Sequence, residues 1–402
     1  MLNNAVKRFY AKTNVVIVGA KRTPIGSFMG QFKDLPATHL GTVASQGAIK
    51  QCNLDPKEIQ EVYFGAVMTA GMGQAPDRQI ALGCGVQNDT PSTTVNKVCA
   101  SGMKSMMLGA QAIQLGIRDV VLTGGMESMS KCVHYQYLRA PNMYGNATVH
   151  DSIQFDGLTD VYNNILMGAC SEKFVSELNI TREAQDKFAI ASYEKARAAQ
   201  ASGAFDWEIT EVVQKTKKGD VSIKEDEEPK KFMPDKFPSL KPAFSKTGTI
   251  TAANASKIND GACAFVLMSE DAAKQRGLTP LARIVAYEDA GVAPIDFGLA
   301  PALAVQKMLK RTGIKASDID YHEVNEAFSA VVLANQQLLD LPADRVNVHG
   351  GAVALGHPLG MSGARICLSL MNVLRSKNGA LGMASICNGG GGASAIILER
   401  MQ

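Results

Sequence analysis

The feature that most constrains this fold is an internal repeat. Ala44, Gln46 and Lys50 recur as Ala304, Gln306 and Lys310 at one constant offset, and Ile49, Leu54 and Ile59 face Leu309, Ile314 and Ile319 at the same offset. Both copies read as helix, short turn and strand: 40–52 with 62–67, and 302–312 with 321–324. Each opens on a strand pattern, Val15-Val16-Ile17-Val18 and Ala282-Arg283-Ile284-Val285. Ser101-Gly102-Met103-Lys104 and Ser362-Gly363-Ala364-Arg365 each start a helical pattern, followed by strand-like 119–123 and 381–386. Apolar strands alternating with amphipathic helices predict an α/β layered fold. The period is far too long for a solenoid. The chain reads as two βαβ-type halves packed together.

At 402 residues the chain is too long for one simple core and implies two or three packed domains. A formal net charge of +3 gives no argument for nucleic acid or a membrane surface. No apolar run of about 18 residues marks a transmembrane helix. The eight cysteines form no CxxC pair, so neither a zinc site nor a disulfide framework is indicated and a reducing compartment follows. Between the halves, 131–246 has no counterpart. It holds a helical pattern at 181–201 and a charged stretch at 215–231, read as a solvated loop or hairpin. The boundaries are 1–12, 13–130, 131–246, 247–278 (a return of the first half) and 279–402. Residues 1–12 carry Lys7, Arg8 and Lys12 and no acid, with Arg8-Phe9-Tyr10-Ala11 like a matrix-processing site. That composition fits mitochondrial targeting, or a plain terminus with chance charges.

Chemistry centres on Cys99. A strand-like stretch, 93–98, breaks there, and a helical pattern follows from Met103. A cysteine at such a junction faces free N–H groups, which favour thiolate over thiol. A buried structural cysteine is the competing reading. Three later motifs offer partners: Asn325-Glu326-Ala327-Phe328, Gly356-His357-Pro358-Leu359-Gly360 before a helix expected near Ser362, and Cys387-Asn388-Gly389-Gly390-Gly391-Gly392 after a strand. Each has a plainer alternative. Asn325 suits a helix N-cap, His357 a satisfied core histidine, and Cys387 a core position. His39, His134, His150, His322 and His349 read as structural or exposed. No HExxH motif occurs, and the glycine run lacks the spacing of a Rossmann or P-loop fingerprint.

These four motifs, in this order, resemble the thiolase family and within it the acetoacetyl-CoA branch, from about Asn14 to the C-terminus. The resemblance implies a five-layered αβαβα core with 131–246 as a loop domain that covers the site and holds coenzyme A. It implies interconversion of two acetyl-CoA with acetoacetyl-CoA plus CoA, by a ping-pong acetyl-cysteine route. Cys99 would be the nucleophile, His357 its activating base and Cys387 the second acid/base. Asn325, through a held water, and His357 would stabilise the enolate oxygen, and the backbone N–H groups of Cys99 and Gly389 the other oxyanion. Tyr193, Lys236 and Ser256 align with coenzyme A contacts. Ala252, Ala253, Ala255 and Val353, with the Tyr193 side chain, align with a potassium site. A homotetramer and the mitochondrial matrix are further implications. One departure stands out: Leu166 replaces a histidine common in the family, which points to acceptance of 2-methylacetoacetyl-CoA. A long-chain 3-ketoacyl-CoA thiolase and a catalytically silent acyl-CoA-binding scaffold are the competing functions. A Cys/His/Asn hydrolase leaves Cys387 without a role.

Overall fold

The computed structural model describes residues 13–139, 143–217 and 219–402; the expected targeting segment 1–12 lies outside the described residues. Nine strands form the main sheet: β1 (Val15–Arg22), β2 (Glu61–Gly65), β3 (Ser92–Val95), β4 (Val120–Ser128), β5 (Asn259–Ser269), β6 (Ala282–Gly291), β7 (Tyr321–Val324), β8 (Leu381–Asn388) and β9 (Gly392–Arg400). Their order is β7-β8-β9-β6-β1-β5-β4-β2-β3, with Gly26–Ser27 added on β5. Five helices matter for the site: α1 (Ala37–Gln51), α2 (Ser101–Gln114), α3 (Arg182–Ala201), α4 (Ala300–Thr312) and α5 (Leu359–Ser376).

Hydrogen bonding joins the two halves along one seam. β1 and β6 run antiparallel through Val15 with Ile284, Val16 with Arg283 and Ile17 with Ala282. Immediately beyond, each strand carries a register shift, between Ile17 and Gly19 in β1 and between Ile284 and Ala286 in β6. Bulges bend a strand and raise its local twist. The period-2 side-chain alternation then sorts the core into layers. Ile17, Phe265, Ile386 and Leu398 share one cluster with Met103, Met106 and Ile366 from α2 and α5. Val16, Val18, Ala264 and Val266 face α1 through Leu40, Ala44 and Ala48. Met383, Ala395 and Ile397 face α4 through Ala300, Ala304 and Met308. Helix, sheet, helix pair, sheet, helix is the five-layered arrangement expected.

The repeat is visible in space. α1 corresponds to α4, β2 to β7, and α2 to α5. The two central helices cross at matching glycines. A Cβ on Gly102 would lie 2.8 Å from the Ala364 N, and one on Gly363 would lie 2.7 Å from the Met103 N. No other residue type lets these backbones approach so closely.

α5 begins at Leu359, three residues before the expected Ser362. The Met361 and Ser362 N–H groups both donate to the Pro358 carbonyl, so the first turn closes on the proline itself. Every α5 residue up to Leu374 is buried.

The segment 131–246 supplies a helix, Met167–Glu177, as well as α3, which Thr181 caps by accepting from the Ala184 N–H at 3.1 Å. The charged stretch folds partly into a hairpin, Val212–Thr216 with Gly219–Ile223. Fully buried Arg22 of β1 stitches this segment to the first half. Its guanidinium reaches Glu208 at 2.7 Å and Asp226 at 2.7 Å.

Candidate active site

The Cys99 turn is built by local side chains. β3 ends at Val95, and Asn96 Oδ1 accepts the Val98 N–H at 3.0 Å. Val98 takes φ +47, left-handed and strained for a β-branched residue. Ser101 Oγ accepts from the Lys97 N–H at 2.8 Å and donates to the Val98 carbonyl at 2.6 Å. The turn is tied to the other half of the molecule. Lys97 Nζ pairs with Asp289 and donates to the Ala393 carbonyl at 2.9 Å and to Ser394 Oγ at 2.8 Å. Lys104 Nζ holds the other Asp289 oxygen at 2.7 Å.

The Cys99 sulfur meets the N–H groups of Gly389 and of Cys99 itself. The thiolate expected beside the helix start does not follow, however. Burial pushes the Cys99 thiol up to about 12, against the two N–H groups, and the Glu127 charge adds to the rise. A helix N-terminus offers roughly 0.3–1 kcal/mol, under one pKa unit, so desolvation prevails. Cys387 lies within β8, 1% exposed, and not just after it as the strand pattern indicated. Burial raises its thiol too, and the charge of Cys99 raises it further, so the two sulfur atoms are electrostatic neighbours.

His357 is fixed at both ends. Its N–H donates to Asn259 Oδ1 at 3.0 Å and to the Lys257 carbonyl at 3.1 Å. Its ring Nδ1 lies 2.6 Å from Ser362 Oγ, and Ser362 Oγ donates its single proton to the Pro358 carbonyl at 2.8 Å. The hydroxyl therefore accepts from Nδ1–H, which leaves Nε2 as an unprotonated base. That Nε2 is buried without a partner. Burial, then the Arg365 charge, pushes the imidazole down to about 3, so it is neutral at pH 7.

Asn325 follows β7. Its Oδ1 accepts from Arg365 at 3.4 Å and its Nδ2 is buried without a partner, a free donor of the kind a held water or an oxyanion would take. Three supporting residues escaped the sequence reading. Glu127 accepts the N–H groups of Val67, Met68 and Gly360 at 3.1, 3.3 and 3.0 Å, tying β4 to the start of α5, and burial lifts its carboxyl to about 7. The other two are Asn259 and Arg365. A buried acid at a strand end gives no periodic signal, though Arg365 lies within the Ser362-Gly363-Ala364-Arg365 helix start already marked.

His357 opens onto a cavity of about 130 Å³ whose walls include Met129, Leu158, Leu166, Met167 and Leu359. Cys99 packs against the apolar cluster that contains Met129 and Leu359, and Cys387 lies in the cluster of Met167 and Phe328. Each cysteine thus lies in or against a cluster that contributes residues to the cavity wall, while neither itself lines the cavity. Leu158, Leu166, Met167 and Phe244 come from the 131–246 segment. Ser256 lines the same cavity, and its N–H donates to the Ala327 carbonyl at 3.0 Å. Tyr193 is buried, stacked on Phe232 at 4.9 Å, and Lys236 is exposed. Of the residues expected at a potassium site, Ala253 and Val353 share a cluster with Tyr193, Ala252 is exposed, and the Ala255 carbonyl accepts from Lys257 Nζ at 2.8 Å. Burial pushes Lys257 down to about 8. Among the described residues, no three His, Cys, Asp or Glu side chains gather as a metal centre, and no helix is long and apolar enough to cross a membrane.

Residues 15–271 match the thiolase N-terminal domain and 278–400 the thiolase C-terminal domain. A mitochondrial acetyl-CoA acetyltransferase of Rattus norvegicus is 55% identical over 390 residues, 96% of this chain and 91% of that protein. A thiolase from Ascaris suum, solved in complex with coenzyme A, superposes with a TM-score of 0.92 at 46% identity, covering 96% of this chain and 100% of that one. The acetyl-CoA acetyltransferase of Bacillus anthracis gives a TM-score of 0.95 at 39% identity, covering 97% and 100%. With both domain models matched in order across nearly the whole chain, this protein belongs to the thiolase family.

Proposed function

We propose that this chain is an acetyl-CoA acetyltransferase, interconverting two acetyl-CoA with acetoacetyl-CoA plus CoA through acetyl-Cys99. The observation that carries the reading is the unpartnered Nε2 of a neutral His357 that opens onto a cavity, together with the electrostatic closeness of Cys99 to Cys387. His357 takes the Cys99 proton as the sulfur attacks the thioester carbon, and the oxyanion meets the Cys99 and Gly389 N–H groups. As the bond to the CoA sulfur breaks, Cys387 gives its proton to the leaving thiolate. Acylation has by then made Cys99 non-ionisable, so no charge can form on that sulfur to oppose a Cys387 thiolate. That thiolate draws the α-proton from the second acetyl-CoA. The enolate oxygen is stabilised by the His357 Nε2–H and by Asn325. Attack on acetyl-Cys99 releases acetoacetyl-CoA and a thiolate, which recovers its proton from His357. The cycle closes with no net change in protonation.

The Ascaris relative binds coenzyme A, which supports an acyl-CoA substrate here. Ser256 at the cavity, with Tyr193 and exposed Lys236 beyond it, is the path we assign to the coenzyme, under the cover of 131–246. A cavity of about 130 Å³ suits a short acyl group better than a long chain. Apolar Leu166 in its wall supports acceptance of 2-methylacetoacetyl-CoA. A thiolysis rate below about 1% of that for acetoacetyl-CoA, or roughly 2.7 kcal/mol of discrimination, would count against that extension. Exposed Tyr137, Leu138 and Tyr162 on the inserted segment support assembly into a homotetramer, read as four times the 42.8 kDa chain by light scattering. The names of the mitochondrial relatives support a mitochondrial site, the matrix on the family resemblance, checked by imaging the tagged chain. The activity is tested by mixing enzyme with acetyl-CoA and mapping the modified peptide. Acetyl on the Cys99 peptide is expected; an unmodified Cys99 during turnover contradicts the mechanism, and no turnover favours a silent scaffold.

A further inference from the structure

The loop 251–256 is tied to α3 by Asn254, whose Nδ2 donates to Asp186 Oδ1 at 2.8 Å. The Ala255 N–H donates to the Thr251 carbonyl at 3.1 Å, and the Ser256 N–H to the Ala327 carbonyl at 3.0 Å. Tyr193 is held opposite, stacked on Phe232 and edge-on to Phe237 at 6.4 Å. A backbone carbonyl oxygen beside an aromatic ring suits a monovalent cation, which exchanges part of its water shell for it. The residue just after this loop already brings a cation there. Lys257 Nζ donates to the Ala255 carbonyl at 2.8 Å and stands 6.0 Å from the centre of the Tyr193 ring. Glu228, within electrostatic reach of both Lys257 and Tyr193, supplies the opposite charge. Glu228 is itself held by Asn259 Nδ2 at 3.4 Å, with Lys231 at 3.7 Å on its outer side.

We propose that the Lys257 ammonium is the resident cation of this loop, seated on the Ala255 carbonyl beside Tyr193, so that this chain takes up no potassium ion there. An ammonium is a compact point charge with three donors, and so takes the Ala255 oxygen that a dissolved cation would need. Because it is tethered two residues from its acceptor, no dissolved ion matches its local concentration. A potassium ion would have to share the Ala255 oxygen and sit against a fixed positive charge. The consequence reaches the site. The Lys257 carbonyl accepts the His357 N–H at 3.1 Å, so the tethered cation stiffens the segment on which the imidazole hangs.

The test compares the full chain in potassium chloride and tetramethylammonium chloride at equal ionic strength and pH 7. For the wild type, the melting temperature should agree within about 1 °C and the thiolysis rate within about 1.5-fold, as expected when no ligand binds the native state. Lys257→Met keeps the stem and removes the charge; potassium should raise its melting temperature by roughly 3 °C or more, saturably. A saturable potassium response of the wild type overturns the proposal, and so does a folded Lys257→Met that ignores potassium. Lys257→Ser replaces it if the methionine variant does not fold in either salt. If neither variant folds, titration of potassium chloride into the wild type by calorimetry decides: no isotherm supports the proposal, and a saturable one overturns it. The thermal and calorimetric readouts do not depend on the acetyltransferase reading. A chain that fails to turn over but ignores potassium removes that activity and leaves this inference standing.

Discussion

The imidazole of His357 owes its reactive tautomer to one hydroxyl proton. Ser362 Oγ spends that proton on the Pro358 carbonyl and so can only accept from Nδ1. Ser362→Ala should slow acetylation of Cys99 by about 10-fold or more, while the lost hydrogen bond costs only about 1 kcal/mol of stability. Single-turnover acetylation and thermal melting separate the two effects, since a merely structural serine would move the second and not the first. Cys99 carries a second prediction. With its thiol lifted to about 12, the free enzyme holds little thiolate at pH 7, and that fraction grows as pH rises. Iodoacetamide labelling of Cys99 should therefore accelerate roughly tenfold per pH unit from 7 to 9. A plateau already reached by pH 7 would mean a preformed thiolate. The residues themselves were legible, because Cys99, His357, Asn325 and Cys387 stand in short motifs with chemistry in their side chains. Their ionisation was not. Helix starts are visible in a sequence, whereas the depth at which a sulfur lies is set by the packing of both halves.

Among the elements, α2 and α5 bring together the segments that bear Cys99 and His357. Cys99 precedes α2 and His357 precedes α5, and the matched Gly102 and Gly363 let the two starts nearly touch. Gly102→Ala and Gly363→Ala should each cost about 1–3 kcal/mol by overpacking. Because both act on one crossing, the double variant should cost less than the sum, measurable by denaturant unfolding. Additive losses would place the two glycines in separate environments. The repeated Ser-Gly pairs announced both helices, and the strands, whose apolar alternation is strong, fell near their expected positions. Boundaries moved where a local bond intervened. The strand expected over 93–98 ends at Val95, because Asn96 turns the chain onto a left-handed Val98. α5 starts early because Pro358 closes its first turn.

At the scale of the molecule, the halves and the inserted segment are joined by buried charge as well as apolar packing. Arg22, fully buried, holds Glu208 and Asp226, and Asp226 also accepts the Ile25 N–H at 2.8 Å. Arg22→Ala would strand two buried carboxylates and should cost about 3–5 kcal/mol, with early protease cleavage near 204–228. Late cleavage and unchanged stability would mean the pairing is incidental. The layered core followed from the repeat, whereas this clamp did not: Arg22, Glu208 and Asp226 are far apart in sequence and share no periodicity. The central claim is that folding unites a nucleophilic sulfur, a neutral imidazole and a second sulfur that acts after acylation. Rapid-quench analysis of Cys387→Ala with excess acetyl-CoA tests it most directly. About one acetyl group per chain should accumulate on Cys99, with no acetoacetyl-CoA formed. Acetoacetyl-CoA produced at the wild-type rate by that variant would contradict the account.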